Sequence, residues 1–142
     1  MRANAIFLIL GAVALFTNCQ QITSSDTSNI AKGMIKVTIL YPNGEGKTFD
    51  MDYYSKKHMP MVASLLGDSL KSLAIDKGMA GRTPDEPIPY LAIGYLYFDK
   101  LSDYQNSFGP NAEKITSDIP NYTNIQPIVQ VSEVLQWAHK GL

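Results

Sequence analysis

Apolar positions fall into three regimes along the chain. They are continuous from Ala5 to Phe16, nearly absent from Gln21 to Lys32, and patterned from Met34 onward. Within the patterned part, Met34-Ile-Lys-Val-Thr-Ile-Leu-Tyr41 alternates and is rich in β-branched residues, which predicts a strand. The cluster Pro42-Asn-Gly-Glu-Gly46 then predicts a turn. Thr48 or Asp50 can cap a helix, and Asp50 and Asp52 favour its positive end. That helix should run through Lys57. Pro60 lacks a backbone N–H and disfavours helical geometry at Met59, so a break or kink is expected there before Met61 to Leu66 continues the helix.

Leu70 to Gly78 predicts a second strand, and Gly81 to Pro87 a loop. Pro89 to Phe98 is the clearest strand of the chain. Leu101 to Thr116 predicts a second helix, interrupted at Gly109-Pro110. Asp118 to Thr123 is a turn, and Ile125 to Trp137 the last strand. The order β-α-β-β-α-β is the split βαβ plan, an α+β fold with two helices on one face of an antiparallel sheet.

Strand 89–98 is apolar or aromatic at both parities. Tyr90, Ala92, Gly94, Leu96 and Phe98 occupy one, and Leu91, Ile93, Tyr95 and Tyr97 the other. Helices cover only one face of such a sheet, and a solvated second face would alternate with polar residues. A second copy of the same sheet would cover it, giving a closed two-fold dimer.

The chain has 142 residues, which suits one domain. Arg2 followed by the run from Ala5 to Phe16 has the form of an export signal, and polar Thr17, Asn18, Gln20 and Gln21 end it short of the roughly 20 residues a spanning helix needs. The expected division is therefore a signal peptide over 1–18, a polar tether over 19–33 and a folded domain over 34–142. Cys19, the only cysteine, stands where a bacterial lipoprotein carries its acylated residue, although Leu15-Phe16-Thr17-Asn18 matches a lipobox only loosely. Lipid attachment at Cys19 and ordinary cleavage beside an incidental cysteine are the two readings. Lipid attachment would place the protein at the bacterial cell envelope, touching the membrane only through its anchor. A lone cysteine excludes an intrachain disulfide framework. The formal net charge is −1 and there is no basic run, so nucleic acid is not an expected partner.

Chemistry concentrates in Phe49-Asp-Met-Asp-Tyr53-Tyr54-Ser-Lys-Lys-His58-Met-Pro60. An imidazole titrates near neutral pH, and a tyrosine hydroxyl can orient it or donate to its substrate. Tyr54 lies one turn before His58 on the same helical face, so Tyr54 is assigned to the site and Tyr53 to the core. His139 is the only other histidine, and no paired ligand spacing supports a metal. Gly46-Lys47-Thr48 mimics the end of a P-loop, but Tyr41 stands where that motif needs glycine. No dinucleotide fingerprint follows any strand. No cofactor is therefore expected.

Two stretches resemble the ethyl tert-butyl ether degradation (EthD) family of the dimeric α+β barrel superfamily. They are Phe49-x₃-Tyr53-Tyr54-x₃-His58-x-Pro60 and Asp118-Ile-Pro-Asn-Tyr-Thr-Asn-Ile-Gln-Pro-Ile-Val-Gln-Val-Ser-Glu133, within a similarity covering Met34 to Gln136. The resemblance implies a ferredoxin-like protomer that forms a dimeric α+β barrel, with a cleft between sheet and helices and His58 as its motif histidine. It further implies small hydrophobic, often aromatic substrates. Many EthD-like sequences carry reductase labels, which an exported chain without a nicotinamide or flavin motif does not readily support. Two functions follow as expectations. One is an enzyme in which His58 acts as general acid/base on a compound held among Tyr54, Tyr95 and Tyr97. The other is a lipid-anchored, non-catalytic binding protein for a small apolar molecule.

Overall fold

A computed structural model describes residues 30–136. The expected leader, Cys19, most of the tether, Trp137 and His139 lie outside the described residues. Strand β1 (Ile35–Pro42) is followed by a helical stretch in three parts: α1 (Met51–Tyr53), a π-helical turn (Tyr54–His58) and α2 (Met59–Leu66). Strands β2 (Ser72–Lys77) and β3 (Tyr90–Phe98) come next. The second helical layer is α3 (Leu101–Phe108), a 3₁₀ turn at Gly109–Asn111 and α4 (Ala112–Ser117), and strand β4 (Ile128–Glu133) closes the sheet. The sheet order is β2-β3-β1-β4, with every neighbouring pair antiparallel. This is the ferredoxin-like α+β arrangement. Among the described residues, no helix is long and apolar enough to cross a membrane.

Two elements differ from expectation near prolines. The last strand begins at Ile128 rather than Ile125, because Pro127 has no N–H to donate to a ladder and stands just outside it. At Pro60 the helix does not break. Instead Met59 donates its N–H to the carbonyl of Tyr54, five residues back, and the wider turn carries the chain past the missing donor. The expected cap is present: Asp50 accepts from the N–H of Tyr53 at 2.9 Å.

The two faces of the sheet are unequal, as the parity of β3 demands. On the helix side Val37, Tyr41, Ala92, Leu96 and Phe98 are buried against Tyr54, Met59, Val62, Leu66 and Ile115. Register places Lys36 opposite Tyr97, Thr38 opposite Tyr95 and Leu40 opposite Ile93, all on the far side. Apart from Tyr97, those residues are only half-buried, and Ile128 on β4 is 54% exposed.

Candidate functional site

The site is assembled where the turn after α4 meets the start of the first helical stretch. Asp50 donates its N–H to the carbonyl of Tyr122 at 2.7 Å, and Phe49 and Thr123 form an isolated bridge. The Thr123 hydroxyl donates to the carbonyl of Thr48 at 2.7 Å, and the Asn124 side chain accepts from the N–H of Thr48 and donates to the carbonyl of Gly46. These bonds fasten the turn 118–124 to the loop that launches α1. They bring Asp118 and Tyr122 to the helical face that carries Tyr54 and His58.

His58 is 4% exposed. Its Nδ1 lies 2.8 Å from Asp118 Oδ2. The other carboxylate oxygen, Oδ1, accepts from the Tyr53 hydroxyl at 3.0 Å and from the Asn121 amide at 2.7 Å. An ionised carboxylate only accepts, so it selects the tautomer with the proton on Nδ1 and leaves a lone pair on Nε2. Tyr122 Oη stands 3.4 Å from Nε2 and 2.8 Å from Tyr41 Oη. The 3.4 Å separation exceeds the usual hydrogen-bond range, so the Nε2 lone pair is only loosely engaged.

Burial lowers the His58 pKa below its ordinary 6.5, although the bond and charge of Asp118 pull the other way. Burial likewise acts to raise Asp118. The hydrogen bonds it accepts from His58, Asn121 and Tyr53 outweigh that and leave its pKa below the usual carboxylate value. Burial pushes the Tyr41, Tyr54 and Tyr122 hydroxyls well above their ordinary range, so all three remain protonated. At neutral pH the group is thus an anionic Asp118, a neutral His58 and protonated tyrosines. A buried base held in one tautomer and one orientation can take a proton from a bound molecule and return it.

An apolar cavity of about 160 Å³ opens between the sheet and the helices. His58, Tyr54, Tyr41 and Tyr122 are among its lining residues, and Val37, Ile39, Leu96, Phe108 and Ile119 are part of the apolar remainder. Tyr54 is 0% exposed, its ring stacks on His58 at 5.6 Å and 16°, and its hydroxyl has no hydrogen-bond partner. The Tyr41 hydroxyl lies close by, outside strict hydrogen-bond geometry, yet near enough that its charge and polar contact add to burial in raising the Tyr54 pKa. The hydroxyl sits against Gly94 of β3, where a Cβ would overlap it. Tyr41, Phe49, Tyr54 and Tyr122 pack ring edge against ring face around it, each pair contributing about 0.5–1.5 kcal/mol beyond area burial.

The structure brings His58 and Tyr54 together, and it does not bring Tyr95 and Tyr97 to them. Both stand on the opposite face of β3, because Leu96 between them points into the cavity and side chains alternate along a strand. Tyr53, assigned to the core, is half-buried and donates to Asp118. Asp118, Tyr122 and Tyr41 were not singled out from the sequence. Asp118-Ile-Pro-Asn-Tyr122 was legible as a turn, but nothing local shows that its carboxylate reaches a helix sixty residues earlier. Among the described residues, no three His, Cys, Asp or Glu side chains gather as a metal set.

Residues 43–126 match the EthD domain. An EthD-like protein from Ralstonia eutropha is 37% identical, with a TM-score of 0.70 over 75% of this chain and 96% of that one. An ethyl tert-butyl ether degradation (EthD) family protein from Bacillus halodurans shares the fold at 15% identity, with a TM-score of 0.50 over 70% of this chain and 97% of that one. Among curated proteins, none matches the chain.

Proposed function

The chain belongs to the EthD domain family, and on that premise we propose that it is a small enzyme in which His58 is general acid/base toward a small hydrophobic compound bound in the cavity. The observation that carries this reading is the bond from His58 Nδ1 to Asp118, with His58 among the residues that line an apolar cavity. A positioned acid/base typically contributes ~10²–10⁴-fold.

The test is turnover of small aromatic and alicyclic compounds, wild type beside His58→Ala. A fall of ~10²–10⁴-fold with the fold intact supports the enzyme. Undiminished turnover in the variant would falsify the assignment. A compound that binds and is recovered unchanged after long incubation would make the protein a binding module instead.

The protein acts as a homodimer in this reading, the half-buried far face of the sheet meeting its counterpart in a second copy. Leu40, Ile93, Tyr95 and Ile128 supply its apolar part, and Lys36 and Asp76 supply charges of opposite sign. The protein is also exported and anchored through Cys19. Metabolic labelling with a fatty acid should mark the wild type and not Cys19→Ser; an unlabelled wild type removes the anchor.

A further inference from the structure

The bond between His58 and Asp118 joins two pieces of chain that are anchored separately. Upstream, the start of the first helical stretch is tied to the turn that carries Asp118. Asp50 donates its N–H to the Tyr122 carbonyl, and the Tyr53 hydroxyl donates to Asp118. Downstream, α2 is held in the core by Met59, Val62 and Leu66. Between the two lies the π-helical turn Tyr54–His58, and its buried residues are the two at its ends. Each helical residue turns the chain by about 100°, so one residue more or less in this turn swings one anchored piece against the other by about that angle. The width of the turn therefore decides whether the imidazole reaches the carboxylate.

Pro60 supplies a reason for that width. It is exposed, so its ring fills no part of the core. The chain stays helical across it: Met59, although it precedes a proline, has φ −67° and ψ −36°. In an unbroken α-helix the proline ring would meet the carbonyl of Lys56, four residues back, and that carbonyl would find no donor. Opening the turn, with Met59 bonded to the Tyr54 carbonyl instead of that of Ser55, passes the proline and keeps both pieces helical. We propose that Pro60 is a positioning residue: it holds the turn 54–58 wide and so sets the rotation at which His58 Nδ1 meets Asp118. Its value for turnover rests on the reading of His58 as acid/base; its effect on the His58–Asp118 geometry does not.

The imidazole tautomer reports this geometry directly. In the full ¹⁵N-labelled chain at neutral pH, NMR should show His58 as one tautomer with its proton on Nδ1, the signal being assigned by its loss in His58→Gln. Pro60→Ala frees the stretch to close into an α-helix, and the single tautomer should give way to the mixture of an unheld histidine. A π turn holds one residue more than the α-helical turn it replaces. Deleting Lys56, which is exposed, from Pro60→Ala should therefore restore the rotation and with it the Nδ1 tautomer. A single tautomer that persists in Pro60→Ala overturns the proposal, as does a wild type without it. A loss that the deletion does not repair also overturns it, because the substitution then acts by general damage. Should Pro60→Ala not fold, the doubly altered chain decides alone: folded with the Nδ1 tautomer it upholds Pro60, and otherwise it overturns it. Turnover enters none of these readings, so a protein without activity still upholds or overturns Pro60 while the enzyme reading fails by itself.

Discussion

Asp118 Oδ2 lies 2.8 Å from His58 Nδ1 across sixty residues of sequence. The same carboxylate accepts from Tyr53 and Asn121, so its own position is fixed from three sides. A neutral asparagine keeps the shape but not the charge. Asp118→Asn should leave the protein folded and cut His58-dependent turnover by ~10²–10⁴-fold, since the imidazole loses its tautomer and orientation. Asp118 raises the His58 pKa, so its removal should shift the acidic limb of the pH–rate profile to lower pH. An unmoved limb would mean that Asp118 serves the turn and not the imidazole.

Stability should fall in two stages as pH drops. His58 in the folded state has a pKa below its ordinary 6.5, so the unfolded chain takes up that proton first. Its contribution is complete above about pH 6.5 and declines below it, until the lowered folded value is passed. Asp118 adds a second decline below its ordinary 3.8 for the same reason. Urea unfolding across pH should show the first stage in wild type and a flatter course in His58→Gln.

Tyr54→Phe should stabilise the protein by about 1 kcal/mol, because it removes a buried hydroxyl that bonds to nothing. Thermal unfolding reads this as a rise of a few degrees in Tm. A loss of stability would show that the hydroxyl is satisfied within the protein.

Gly94→Ala sets a Cβ onto Tyr54 Oη and should cost about 1–3 kcal/mol. Combined with Tyr54→Phe, the loss should shrink, since the overlapping oxygen is gone. A double-mutant cycle measures that coupling. Strict additivity would locate the crowding elsewhere, at Ile39 or Met59, whose side-chain ends a Cβ would approach at 3.5 Å.

Substituting Ile93→Asp on the far face of the sheet should shift the protein toward monomer in analytical ultracentrifugation, with its circular dichroism unchanged. Ile93 is only half-buried within one chain, so a charge there costs little until a second sheet covers it. A monomeric wild type would end the dimeric barrel.

Periodicity determined the order of strands and helices, and the two-sided apolarity of β3 already implied one face for helices and another in need of cover. Those features are local, carried by alternation, capping and the missing N–H of proline, so they can be read along the chain. Tyr54 and His58 were legible for the same reason, one helical turn apart. Tyr95 and Tyr97 show where local reading ends. Their place on the strand fixed that they share a face with each other, but the face that closes over His58 is decided by which side the helices pack. Asp118, Tyr122 and Gly94 entered the site only through tertiary structure. A hydrogen bond or a space for an oxygen depends on distances between segments that chain order does not specify.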